Sequence, residues 1–407
     1  MAAAAGHPRI AIAVEPAGTI WLNLIRMVVL PLVVTAVIVG VAGLGGTARL
    51  GRLGVRAVLV FLGLGLLGVV FGLLLGRIAL PLAPLSADAT AALRAAAASG
   101  PSDFGEAARR LPGFARFLVD LVPTNPVEAA ADGALLPVIV FSVLFGAATA
   151  ALPDERRTAI TGLAEAVLAA IIQLIGWFMV LAPIGVACLV APVAARLGWE
   201  MLASVGVFIG VLVVGYVLFT VLVLAPVVRF VAGVGVRRFV AAATPAYAVG
   251  FSTTSSMAAL PALLDAATRD LRISRPVASF VLPLAAALNR PGSGLYQAVA
   301  ALFVAQLYGI SLGAPQLAAL AGTMLVMTLS VAAIPRGTVL SLAPALLAVG
   351  LPLDSIGLLI GVDQVPDMFR TATNVAGHLT ATATVARLEG EAPGGHGEGE
   401  SREGTRG

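Results

Sequence analysis

Apolar residues run along this chain in stretches of about 20 or more, the length a helix needs to cross a hydrocarbon core of roughly 30 Å. On that measure spans are predicted at about Thr19–Leu44, Leu53–Leu80, Ile160–Val190 and Ala203–Phe230. Shorter apolar runs at about Phe114–Val122 and Leu135–Leu152 are separated by the helix-breaking stretch PTNPVEAAADG. A different pattern follows. Two segments, about Phe239–Ala267 and Gln316–Gly350, are apolar at their ends and polar in the middle, reading GFSTTSSMAALP and SVAAIPRGT. Each is expected to be two half-helices meeting at a polar tip, because irregular backbone at membrane depth is tolerated only around a cavity. Between them, Val277–Gly309 is a span interrupted by ALNRPGSGLYQ, which predicts a discontinuous helix.

The last long segment, Gly361–Arg387, carries Asp363, Asp367, Arg370, Asn374 and His378 at offsets 0, 4, 7, 11 and 15. At 3.6 residues per turn these share one face. Ionisable groups on a membrane helix face a cavity and whatever binds there, because exposing them to lipid is too costly.

Composition narrows the class further. Of 407 residues 59% are hydrophobic and 11% charged, with a mean hydropathy of +1.01, far from soluble globular norms. The chain is read as a polytopic protein of the cytoplasmic membrane, with the lipid bilayer as its first partner. Its positive charge is all arginine, and the formal net charge is only +4, so nucleic acid is not an expected partner. Arg49, Arg52, Arg56, Arg156, Arg157, Arg229, Arg237, Arg238, Arg269, Arg272, Arg275 and Arg387 fall in short connections that define one cytoplasmic side. The mixed-charge stretch Leu82–Pro112 fits an external loop, and the sequence after Arg387 fits a disordered cytoplasmic tail. One cysteine, Cys188, excludes an intramolecular disulfide or a Cys-based zinc site. No metalloprotease, P-loop or nucleophile-elbow motif supports an enzyme.

The stretches GTARLGRLGVR, LVPTNPVEAAADGALLPVI, APIGV, STTSSMAALP, ISRPVASFVLPLAAALNRPGSGLYQ and DMFRTATNVAGH together resemble the dicarboxylate/amino acid:cation symporters, the glutamate transporter homologues. The resemblance implies an all-α membrane protein: a polytopic helical transporter with two re-entrant helical hairpins and discontinuous helices. It implies a homotrimer whose scaffold holds transport domains that move substrate in an elevator fashion. The parts would be residues 1–52 (N-terminal region and first scaffold span), 53–81 (a transport-domain span), 82–202 (external loop and scaffold spans), 203–387 (transport domain) and 388–407 (tail). By this resemblance Arg370 receives the side-chain carboxylate of an acidic amino acid or dicarboxylate, and Asp367 the amino group. Thr371 and Asn374, Ser255 and Ser256 at the first tip, Ser293 in the broken helix, and Ile334 and Pro335 at the second tip complete the cage. The chemistry agrees, since a guanidinium binds carboxylate bidentately.

The departures lie where the family binds sodium. Sodium-coupled members read Asn-Met-Asp-Gly-Thr in the broken helix. Here the stretch is Asn289, Arg290, Pro291, Gly292 and Ser293, and the ligand Asp is gone. Phe61, Leu64 and Gly65 stand where a Tyr and a Thr-Ser pair would lend side-chain oxygens, and His378 stands where a second site has Asp. Imidazole is a poor ligand for a hard cation. No metal or other cofactor is expected. Asn289, Arg290 and His378 are instead candidate coupling residues, Arg290 as a tethered cation and His378 as a proton site. The family's first scaffold helix has no room in residues 1–15. An uncoupled anion conductance past Arg290, Arg336 and Arg370, or a non-transporting binding homologue, is the rival reading.

Overall fold

The computed structural model describes residues 13–43, 47–82, 90–91, 93–94, 119–181, 183–185, 187–188, 199–330 and 337–394. All regular structure among them is helical. That follows from the medium: in hydrocarbon every backbone polar group needs a partner within its own segment, and a helix provides it. Helices α1 (Glu15–Ala42), α2 (Thr47–Leu82), α3 (Pro126–Ala131), α4 (Leu135–Ala150) and α5 (Asp154–Val180) form the first half. Helix α6 (Trp199–Phe219) continues through two π-helical turns, Thr220–Leu224 and Val227–Val231, on either side of Pro226. Four helical stretches are long and apolar enough to cross a membrane: Pro16–Ala42, Leu50–Leu82, Asp154–Phe178 and Gly206–Val231. They correspond to the four long spans read from the sequence.

The second half consists of interrupted helices. Helix α7 (Val236–Thr253) ends at Thr254, whose left-handed φ of 50° turns the chain, and α8 (Leu260–Asp265) follows. Helix α9 (Arg275–Leu288) stops at Asn289 and α10 (Pro291–Tyr308) starts two residues later. The break has a local cause: Pro291 has no N–H to donate and excludes the α conformation from the residue before it. Arg290 accordingly sits at φ −121°, ψ 62°. Helix α11 (Ala314–Ser330) packs against α13 (Ala343–Ala348), α2 and α10, and the short α12 (Gly337–Leu340) packs against α10. The tip between α11 and α12, with Ile334, Pro335 and Arg336, lies outside the described residues, as does most of Leu82–Pro112. Helices α14 (Ser355–Val362) and α15 (Gln364–Leu388) complete the chain.

Helix α15 is the centre of the second half. From Arg370 to Ala386 every residue but Ala372 is buried, beneath α7, α9, α10 and α2. The polar stripe read from the sequence is therefore only part of a helix enclosed on all sides. Most of its threonines bond within their own helix: Thr373 donates to the Phe369 carbonyl, Thr380 to Ala376 and Thr382 to His378, at 2.8–2.9 Å. The helix also begins later than the pattern suggested, leaving Asp363 as its N-cap residue.

Glycines set the closest approaches. A Cβ on Gly68 would lie 2.2 Å from the Pro291 carbonyl oxygen, and one on Gly72 would lie 2.7 Å from that of Leu295. Small residues four apart let α2 lie directly on the start of α10. The chain beyond Leu388 is tied to the body as far as Gly394. Glu389 pairs with Arg56, Glu391 accepts from the Ser274 N–H and hydroxyl, and Arg238 donates to the carbonyls of Asp270 and Gly394. The tail expected from residue 388 is thus held at its start, and residues 395–407 lie outside the described part.

Candidate functional site

Where α14 gives way to α15, the chain gathers two carboxylates around one guanidinium. Arg370 Nη1 and Nη2 donate to Asp363 Oδ1 and Oδ2 at 2.8 and 2.9 Å, a fork-to-fork pair. Nη2 also donates to Asp367 Oδ1 at 2.6 Å, and the Thr371 hydroxyl donates to the same oxygen at 3.4 Å. The guanidinium carbon lies 4.5 Å from the centroid of the Tyr296 ring, so a π-face covers one side of the cation. The Tyr296 hydroxyl lies beside Asp363 and that of Tyr216 beside Arg370, neither in regular hydrogen-bond geometry. Arg370 and Asp363 are 3% and 5% exposed at their side chains, whereas Asp367 is 28% exposed. The accessible member of the cluster is a carboxylate.

One turn on, α15 is stitched to the broken helix. Asn374 Oδ1 accepts the Gly292 N–H at 2.9 Å, capping the start of α10, and its Nδ2 donates to Ser293 Oγ at 3.3 Å. Asn289 Nδ2 donates to the Gly377 carbonyl at 2.9 Å. Pro291 is wedged beside this contact: a Cβ on Gly377 would come 2.6 Å from its Cγ. On the far side, Ser293 Oγ and Thr338 Oγ1 are 3.3 Å apart, and Gln297 Nε2 donates to the Thr338 carbonyl and to Ser341 Oγ. Asp367, Arg370 and Thr371 thus form one cluster, and on the next turn of α15 Asn374 and Ser293 form a second that reaches Thr338 of α12.

The remaining candidates are placed differently. Ser255 Oγ accepts from the Ala258 N–H, which shapes the first tip. No hydrogen bond among the described residues joins Ser255 or Ser256 to the Arg370 cluster. The preceding residues do reach α15: Phe251 packs edge-to-face on Phe369 at 5.1 Å, and Gly250 lies against Val375. His378 is fully buried, and its ring nitrogens lie near the Asn289 backbone without a hydrogen bond of regular geometry. Arg290 stands at the break between Asn289 and Pro291, at the N-terminal cap of α10, and is partly buried.

Sequence comparison adds the lineage. The family model described as sodium:dicarboxylate symporter family matches residues 1–388. The chain belongs to the sodium:dicarboxylate symporter family. It is 32% identical over 377 residues to the proton/glutamate-aspartate symporter of Escherichia coli K12, covering 92% of this chain and 85% of that protein. A proton/sodium-glutamate symport protein of Bacillus subtilis is 30% identical, covering 95% of this chain and 88% of that protein. A C4-dicarboxylate transport protein of Anaeromyxobacter sp. strain K is 32% identical, covering 96% and 88%. A member of this symporter family is a multi-pass secondary transporter and not an enzyme, which agrees with the apolar helices described above.

Several site groups escaped the motif reading. Asp363 stood in the polar stripe but was not assigned to the site, and nothing in its spacing indicated that it would chelate Arg370. Tyr216, Tyr296, Gln297, Thr338 and Ser341 sit in apolar runs as isolated polar groups. A buried-polar argument could have singled them out, since each needs a partner at membrane depth.

Proposed function

We propose that this chain carries acidic amino acids, or the C4-dicarboxylates that resemble them, across the cytoplasmic membrane, and that protons rather than sodium drive it. The carrying observation is the Asp363–Arg370–Asp367 cluster on α15, with Asn374 one turn further on hydrogen-bonded to the broken helix and, through Ser293, linked to α12. Charge-assisted donors and acceptors held between interrupted helices suit a small charged substrate that must be bound, enclosed and released. The names of the relatives point the same way, and the carboxylate at Asp367 favours a substrate with an amino group.

The case against sodium rests on side chains. Phe61 and Leu64, which replace the oxygen ligands of the family pattern, are 1% and 3% exposed. Pro291, in place of the ligand Asp, is packed between Gly68 and Gly377. A hard cation gains nothing from such walls. The elevator movement and the homotrimer follow the family resemblance. In that frame α2 and the helices from α6 to α15 travel together, with α1, α4 and α5 as scaffold. The packing of α2 on α10 and of α1 on α4 and α5 supports this division.

Counterflow in proteoliposomes tests the reading. Labelled aspartate or glutamate should exchange saturably, and an inward proton gradient should drive accumulation unchanged when choline replaces sodium. Steep sodium dependence at fixed pH and voltage would refute the coupling. Anion current without saturable uptake would refute transport. Native mass spectrometry should show a trimer.

A further inference from the structure

Helices α1 and α5 meet the first hairpin and α9 unevenly. Helix α1 lies tight on α9, where a Cβ on Gly40 would come 3.0 Å from that of Ser279. Helix α5 does not close in the same way on α8 and the π-helical turn Ala266–Asp270 that follows it. Between these elements the chain leaves a partly open cavity of about 270 Å³, with Leu32, Leu168, Ile172 and Leu264 among its apolar walls. A void lined this way forfeits dispersion contacts and stays dry, so hydrocarbon fills it better than water does. Hydrocarbon is at hand, because α5 lies in one of the membrane-crossing stretches and is exposed on the adjoining face at Leu163 and Val167.

Charge decides what kind of chain enters. The ionisable residues that line the cavity, Asp265, Arg269 and Arg275, keep exposed side chains and form its rim. Arg269 meets Asp265 through one contact, Nε to Oδ1 at 3.4 Å, with the two side chains 70% and 47% exposed. Such a pair is weak and easily exchanged. No hydrogen bond or ion pair to a described residue reaches the Arg275 side chain, and the three groups sum to one positive charge. A free guanidinium beside an apolar slot suits a phosphodiester whose own hydrocarbon enters the slot, and basic pockets between membrane helices bind anionic headgroups. We propose that this cavity binds an anionic phospholipid of the surrounding bilayer, its phosphate on Arg275 and Arg269 and one acyl chain between α5 and α8. In the division into scaffold and moving helices, the lipid touches both parts. The site itself does not depend on that division.

Native mass spectrometry of the delipidated full-length protein tests this, with phosphatidylglycerol, phosphatidylcholine of the same chains, and inorganic phosphate as probes. Phosphatidylglycerol should bind more tightly than phosphatidylcholine by about fivefold or more, the scale of one basic side chain beside an anionic headgroup. Inorganic phosphate should not displace it. Arg275→Gln should remove most of the preference, and Ile172→Trp, which fills the cavity, should weaken both lipids. Arg156→Gln, at an exposed arginine outside the cavity, should change nothing. Equal affinity for the two lipids overturns the proposal, as does a preference unchanged when Arg269→Gln and Arg275→Gln are combined. The same loss in Arg156→Gln would mean attraction to the surface in general, and displacement by phosphate would mean an anion site without a chain; either overturns it. Unaltered lipid binding in Ile172→Trp, or in Leu168→Phe if the Trp variant is not monodisperse, overturns the placement of the chain. Aspartate enters none of these readouts, so their failure leaves the transport reading standing.

Discussion

At the scale of residues, the energetics concentrate on one buried ion pair. Removing one partner of such a pair leaves an uncompensated charge, at a cost of about 3–5 kcal/mol. Asp363→Asn should therefore lower the melting temperature of the purified protein markedly, because Arg370 has only the shared Asp367 left. A melting curve that matches wild type would mean that Asp363 is dispensable to Arg370. His378 makes a different prediction. It is the sealed titratable group next to the broken helix, and neither ring nitrogen has a regular partner. If it carries the coupled proton, His378→Gln should abolish accumulation driven by a proton gradient while leaving aspartate counterflow intact. Preserved proton-driven accumulation would show that His378 does not carry the coupled proton.

At the scale of elements, the question is why helices break where they do and lie so close. Pro291 ends α9, and Asn374 then caps α10 by accepting the Gly292 N–H. Replacing Asn374 by Ala orphans that buried donor, a loss of about 1–3 kcal/mol, and should raise the KM for aspartate through the lost Ser293 contact. The glycine seam of α2 is equally testable. Gly68→Leu must push α2 off the Pro291 carbonyl and should abolish uptake and monodispersity. Gly51→Ala, on the same helix with nothing within 4 Å, should be neutral or slightly stabilising. Interruptions were legible in the sequence because Pro, Gly and Ser clusters punctuate a helix locally. The spans at Leu53–Leu80 and Ala203–Phe230 were legible because hydropathy needs no tertiary context. The Asp363–Arg370 fork was not, because it depends on a helix start displaced to Gln364, and boundaries shift by a few residues for reasons of packing. The glycine seam was not legible either, since Gly68 and Gly72 take their role only from α10 lying against them.

At the scale of the molecule, residues far apart in sequence are joined at the end of α15. Glu389, 3% exposed at its side chain, joins Arg56 of α2, and Arg238 reaches the Gly394 carbonyl. Glu389→Ala should loosen the end of α15 by about 1 kcal/mol, scaled to the partial exposure of Arg56. Faster hydrogen exchange confined to the residues around Leu388 would show it, and uniform exchange would not. The position of α15 has a consequence for biosynthesis. It is almost wholly enclosed from Arg370 to Ala386, yet it follows α1 to α14 in the chain, and it is not among the helices long and apolar enough to cross a membrane. The earlier helices must therefore wait around a vacancy until α15 leaves the ribosome. The candidate site, to which α15 contributes Asp367, Arg370, Thr371 and Asn374, forms only once that helix has been made, so a chain cut short before Gln364 should not bind aspartate.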